Sequence, residues 1–154
     1  MEKMFNRTVV AFLLGAIFIL GLGAALTDNR DTPARSGSVI QLTVKDAVTI
    51  FAGSMVAVDT NGEALPAADT ANLKVVGRAE QKVDNTDDGK TVNVRRGIFQ
   101  YANGDSVDDS DIGSLAYASD DQTVTQGTNV NSVVAGRIVD VDSGGVWVDT
   151  RLAF

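Results

Sequence analysis

The feature that most constrains this chain is the stretch from Leu73 to Tyr101, where apolar and polar residues alternate on both sides of a polar turn. Between Leu73 and Val83 the odd positions carry Leu73, Val75, Gly77, Ala79, Gln81 and Val83, and the even ones include Lys74, Arg78, Glu80 and Lys82. A period of two is the pattern of a strand with one buried face. Asp84 to Gly89 is a run of turn formers, whose side chains bond nearby backbone and whose glycine accepts a positive φ. The spacing therefore predicts a hairpin. Its return strand, Thr91 to Tyr101, sets Val92 and Val94 on one face and Phe99 and Tyr101 on the other. The change of parity at Arg96-Gly97 calls for a bulge or for a strand that crosses between two sheets.

Composition removes most chemistry. The 154 residues suit one folded body. With no cysteine and no histidine there are no disulfides, no thiolate chemistry, no imidazole metal site and no triad built on a His base. Asp and Glu outnumber Lys and Arg by 20 to 13, a net charge of -7 that opposes binding to phosphates. No nucleic acid partner is expected. Fifteen glycines with only 2 prolines, among recurring Val, Thr, Asp and Asn, suit many short strands and tight turns.

Three segments divide the chain. Residues 1–26 contain the uninterrupted apolar run Val9 to Leu26, preceded by Lys3 and Arg7. As a helix it would extend roughly 27 Å, close to a hydrocarbon thickness of about 30 Å. The basic start and the small residues Gly23-Ala24-Ala25 fit a secretory signal peptide equally well. A helix packed on a partner and a leader misassigned upstream of the true start are the other readings. Residues 27–37 are polar, broken by Pro33, and predict an extended arm that is either a solvated linker or a docking arm. Residues 38–154 form the β domain.

Within that domain Val39 to Val44 reads as a strand, and Ala47 to Val58 as two more, bent at Gly53. Asp59-Thr60-Asn61-Gly62 carries the Asn-Gly pair that favours hairpins. Ala102 to Asp111 is a long loop. Its carboxylates Asp105, Asp108, Asp109 and Asp111 invite a calcium reading, but the spacing fails the EF-hand pattern, so no metal is expected. Ile112 to Ala118 resumes a strand, and Thr123 to Asn131, rich in Thr, Gln and Asn, reads as a surface loop with little to give a core. The end of the chain echoes its middle: Ala135-Gly136-Arg137-Ile138 matches Val76-Gly77-Arg78-Ala79, and both lead through an Asp and Gly turn to a Val-rich return. This is a weak repeat. Asp142 to Gly145 is short enough to fix the register of the second pair, and Trp147 reads as a core or edge anchor.

No serine has a base beside it in any recognisable pattern. Lys45, Lys74, Lys82 and Lys90 fall on exposed or turn positions, and no phosphate loop appears. Paired carboxylates are the remaining catalytic option, yet each Asp cluster lies in a turn, where solvation is the ordinary reason for it. The expectation is a non-enzyme without cofactors.

The run Val76-Gly77-Arg78-Ala79-Glu80, then Val83-Asp84-Asn85, then Val92-Asn93-Val94-Arg95-Arg96-Gly97-Ile98-Phe99 resembles the capsid cement, or head decoration, proteins of tailed bacteriophages. Ala52-Gly53 before Val56-Ala57-Val58, Asp120 to Val124, Ala135-Gly136-Arg137, and Asp140 to Val148 extend the likeness over nearly all of residues 27–154. The resemblance implies a small barrel-like β fold, a homotrimer on the outer face of a virion shell, and the major capsid protein as partner. It also implies that the arm, Thr27, Asp28, Asn29, Arg30, Asp31, Thr32, Pro33 and Arg35, reaches the capsid protein. Residues 1–26 depart from that family pattern and open an alternative: a membrane-tethered or exported, extracytoplasmic β domain with membrane contact through Val9 to Leu26.

The expected fold is all-β, a small barrel or sandwich of about seven to ten short strands. Its expected core is Val75, Val83, Val92, Val94, Phe99, Ile138, Val146 and Val148.

Overall fold

The computed structural model describes residues 28–34, 36–87, 89–105, 107–127 and 129–152. The expected helix at residues 1–26 lies outside them. The chain divides into two units, residues 1–34 and 35–154, each considered by itself. In the first, Asp28 to Ala34 has no helix or strand, and every residue is exposed.

The second unit is all-β. Its strands are β1 (Val39–Thr43), β2 (Thr49–Ile50), β3 (Met55–Val58), β4 (Ala64–Pro66), β5 (Lys74–Ala79), β6 (Val83–Asp84), β7 (Thr91–Arg95), β8 (Ile98–Asn103), β9 (Leu115–Ala118), β10 (Thr123–Thr125), β11 (Val134–Asp142) and β12 (Gly145–Asp149). Two 3-10 turns, Asp109–Asp111 and Thr150–Leu152, complete it. Strands β1-β7-β5-β3-β4 form one sheet, β10-β8-β12-β11-β9 close into a barrel, and β2 pairs with β6.

The parity change at Arg96-Gly97 is a crossing between sheets. β7 ends in the first sheet and β8 begins in the barrel. Thr150 fastens the crossing: its N–H and hydroxyl meet the Gly97 carbonyl at 2.9 and 3.0 Å, and its Oγ1 lies 3.1 Å from the Gly97 N–H.

Four expectations need correction. The hairpin at Asp84 is short, since β5 and β7 pair only at Arg78↔Arg95 and Ala79↔Val94, and the chain between them leaves to pair Val83 and Asp84 with β2. Asn85 draws it away. This buried amide donates to the Val44 and Lys45 carbonyls at 2.9 and 3.2 Å and accepts from the Lys90 N–H at 3.0 Å. Second, β5 buries both faces. Val76 is an extra residue opposite the Val56-Ala57 step, a bulge that turns Val75 toward one core and Val76 toward the other. Third, Thr123 to Asn131 is not all loop: β10 lies within it, and Val124 is fully buried. Fourth, the strands exceed ten, because segments as short as two residues pair.

The weak repeat is the visible part of a duplication that covers the whole domain. In β3 and β5 the partners are Met55↔Arg78, Val56↔Gly77 and Ala57↔Val75; in β9 and β11 they are Leu115↔Arg137, Ala116↔Gly136 and Tyr117↔Val134. Each ladder has its bulge at the same step. Likewise Val58↔Ala64 in the β3–β4 hairpin answers to Ala118↔Val124, and Ile40↔Val94 with Leu42↔Val92 answers to Phe99↔Val148 with Tyr101↔Val146. The parallel contact that closes the barrel, Val124↔Asn103, has its counterpart in the bridge Val44↔Ala64, where the edges of the first sheet meet. Even the loop bonds repeat: Gly53 N–H to Ala79 carbonyl and Gly113 N–H to Ile138 carbonyl are both 2.9 Å. Equivalent positions lie roughly 60 residues apart over most of the domain, a tandem duplication of one five-stranded unit. The copies differ where Asp109–Asp111 replaces β2, and where a two-residue turn joins β11 to β12.

One interior holds Val44, Ile50, Val56, Ala64, Val76, Ala79, Val83, Val92 and Val94; the other is built around Ala116, Val124, Ala135, Ile138, Val146 and Val148. Seven of the eight expected core residues are buried. Phe99 is half-buried, its ring covered by the Arg78 guanidinium at 4.7 Å. At the matching positions Gly77 and Gly136, φ is +148° and +155°, and a Cβ would stand 2.4 and 2.3 Å from the carbonyl oxygens of Arg95 and Asp149. Gly77→Ala and Gly136→Ala are each expected to cost about 3 kcal/mol or more in urea unfolding, from overpacking against backbone. Gly37→Ala, with nothing within 4 Å of its Cβ position, should leave the midpoint unchanged.

Candidate functional site

The predicted arm is presented and not assembled. Asp28, Asn29, Arg30, Asp31, Thr32 and Pro33 are all exposed, and the Asn29 N–H donates to Asp28 Oδ1 at 2.7 Å. Thr27 and Arg35 lie outside the described residues. Among the described arm residues, Asp28 to Pro33, no common centre forms.

On the β domain, β1 pairs with β7 along one edge; its other edge is open over Val39 to Gln41 and meets β4 from Thr43 on, where the Lys45 N–H donates to the Ala64 carbonyl at 2.9 Å. The bonds from Arg96 N–H to the Ser38 carbonyl and from Val44 N–H to the Lys90 carbonyl set the phase of the β1–β7 ladder. The N–H and C=O groups of Val39, Gln41 and Thr43 then point away from β7, in an antiparallel alternation. All three residues are exposed, and the strand carries no charge and no proline. Edges of this kind are usually blunted, because they accept another strand.

The carboxylates mostly serve their own turns. Asp108 accepts from the Ser110 N–H and hydroxyl at 2.8 and 2.6 Å, while the Asp111 side chain accepts from the Asp108 N–H at 3.1 Å, a reciprocal cap. Those bonds from Ser110 hold the Asp108 carboxyl below the usual range. Asp142 is lowered chiefly by the Trp147 indole N–H, 2.8 Å away, with help from the Gly144 N–H and Gln100. Trp147 is half-buried, so it clamps its turn from the edge and leaves the core to its neighbours. Among the described residues no group of three or more carboxylates is placed to hold a metal ion.

Two charged clusters and a buried hydroxyl stand out among the described residues. Glu80 bridges Arg78 and Arg95 at 2.5 and 2.8 Å, and both guanidinium groups depress its pKa. Asp149 is held bidentately by Arg151, both bonds at 2.8 Å, and is lowered by it. The buried Tyr101 hydroxyl has no hydrogen-bond partner, and burial pushes it well above the usual phenol range.

The sequence reading missed the junction between the two halves. Met55, Ala57, Ala67 and Val75 leave the first half to join the second core. Alternation alone marks them as ordinary strand residues.

Two outcomes follow from these groups. Tyr101→Phe removes a donor that bonds nothing and should hold or raise stability by up to about 1 kcal/mol; a clear loss would show that the hydroxyl is bonded. Asp59, Glu80, Asp142 and Asp149 all have folded pKa values below their ordinary ones. Their contribution is present above the unfolded values and is lost as pH falls through the folded ones. Asp121, raised by burial and by Asp120, works in the opposite direction. The thermal midpoint should hold from neutrality to about pH 5 and fall below about pH 4.

Comparison with protein-family models, with curated proteins and with solved structures returned no match for this chain.

Proposed function

We propose that this chain is a structural decoration protein that binds the outer face of a phage head as a homotrimer and stabilises the shell, with the major capsid protein as its partner. The observation that carries the reading is the exposed run Asp28 to Pro33, six residues without helix or strand, in a chain whose other unit is an all-β body. The ordered likeness of residues 27–154 to cement proteins supports it. An extended arm suits strand addition to a partner sheet, since backbone pairing needs only extended chain. Many modest contacts repeated over a shell resist internal pressure without chemistry.

The apolar run Val9 to Leu26 favours a second reading, a membrane-tethered or exported β domain that binds a surface partner. Among the described residues no helix is long and apolar enough to cross a membrane, and the run lies outside them.

Co-sedimentation with phage heads from the native source separates the readings. The full chain should pellet with the heads. Deletion of Thr27 to Gly37 should leave the melting curve unchanged and the protein in the supernatant. Retained binding by the deletion variant would move the contact to the loops, and failure of the full chain to bind heads would remove the decoration reading.

A further inference from the structure

The two halves of the β domain meet through different surfaces. From the first half, the Met55 N–H donates to the Asp121 carbonyl at 2.6 Å, and the Asp69 N–H to the Ser119 carbonyl at 3.3 Å. The Asp69 carboxylate accepts from the N–H groups of Val130 and Asn131 at 2.8 and 2.9 Å. Beside these bonds Met55, Ala57, Ala67 and Val75 are buried to 2% exposure or less. The second half supplies its β9–β10 turn and the loop at 130–131. β5 packs against its own equivalent β11, but these bonds join unlike places on the two copies. A donor face, on β3 and Asp69, meets an acceptor face, the β9–β10 turn and the 130–131 loop, in a heterologous manner.

Since the halves are copies of one unit, each carries both faces, and one of each is left over. The spare donor face is on the second half. Leu115, Tyr117 and Val134 occupy the places of Met55, Ala57 and Val75, and all three are half-buried where their counterparts are buried. The spare acceptor face is on the first half, where Asp59, Thr60 and Asn61 answer to the β9–β10 turn, and Thr70 and Ala71 to the loop at 130–131. These five residues line one open groove.

We propose that the spare faces join: a second copy of this chain docks Leu115, Tyr117 and Val134 against the Asp59–Asn61 turn and the Thr70-Ala71 loop of the first. The contact within each chain is thus repeated between chains. The bond equivalent to Met55–Asp121 runs from the Leu115 N–H to the Asn61 carbonyl. One anchor is missing, because Asn129, in the place of Asp69, spends its side chain on the Ala118 carbonyl and the Thr125 hydroxyl of its own half. The contact between chains is accordingly weaker than the one within. Its heterologous form gives a ring if the rotation closes and an open row if it does not.

The proposal does not rest on the decoration reading. Self-association without binding to heads would keep the docking and remove the decoration reading, and binding to heads with Leu115, Tyr117 and Val134 uninvolved in self-association would do the reverse. The experiment uses the full chain in a non-ionic detergent that disperses Val9 to Leu26. Sedimentation velocity should show concentration-dependent oligomers, and Tyr117→Lys should shift them to monomer at least tenfold higher in concentration. Val139→Lys, at an exposed position elsewhere on β11, should not. The chain has no native cysteine, so orientation is read directly: Leu115→Cys mixed with Asn61→Cys should form a mixed disulfide, which needs Cα atoms within about 7 Å. Monomer at all concentrations, oligomers indifferent to Tyr117→Lys, absence of the mixed cross-link, or Leu115→Cys pairing with itself would each overturn the docking.

Discussion

Two backbones meet side by side at Gly77 and again at Gly136, and the fold depends on that closeness. In each half a carbonyl oxygen of the return strand, from Arg95 or Asp149, fills the space where a side chain would begin. Only glycine allows that approach. The bulge comes one residue earlier in both ladders, at Val76 and at Ala135. Together they bend β5 and β11 sharply enough for five short strands to curl around a narrow interior. That interior is lined mainly by valine, alanine and isoleucine, so Ala116, Ala118 and Ala135 are fully buried beside Val124 and Val146, with Tyr101 as the large side chain. Crossing from the first sheet to the barrel at Gly97 then lets one chain build the unit twice.

How much of this the sequence displays follows from what each position must do. Alternation marked β5, β7 and β12 as strands, and the parity change marked the crossing, because a strand's faces are set by a period of two. The duplication shows most clearly at Gly77 and Gly136, Arg78 and Arg137, Gly53 and Gly113, and Ser54 and Ser114, and beyond them in valines such as Val92 and Val146 or Val94 and Val148 that any buried strand could carry. At the glycines the backbone admits one residue type. In the interiors the requirement is bulk and apolarity, so Ile40 answers to Phe99, Ala79 to Ile138 and Val56 to Ala116, and the likeness dissolves. β10 was hidden among Thr and Gln for a related reason: a strand in a small barrel needs one inward residue, and Val124 is it. β6 was hidden because Asn85 reads as a turn residue, while here it is a buried clamp.

The candidate site was legible unevenly. The arm's polarity and Pro33 imply exposure, and Asp28 to Pro33 are exposed. The faces left over by the duplication were not legible, since Leu115, Tyr117 and Val134 look like any strand residues until their counterparts are found buried. Surface roles of this kind leave no local signature, because they depend on which copy of a repeated face remains uncovered. The proposed decoration role would use an acidic body, an exposed arm and the faces proposed to join copies, since many modest contacts repeated over a surface add up.

The most direct measurement is an intact-mass inventory of purified particles and of host membranes from the native source. The account predicts the chain in particles, in fixed proportion to the shell protein. Its absence from particles, with recovery from membranes alone, would contradict the decoration reading and leave the tethered β domain in its place.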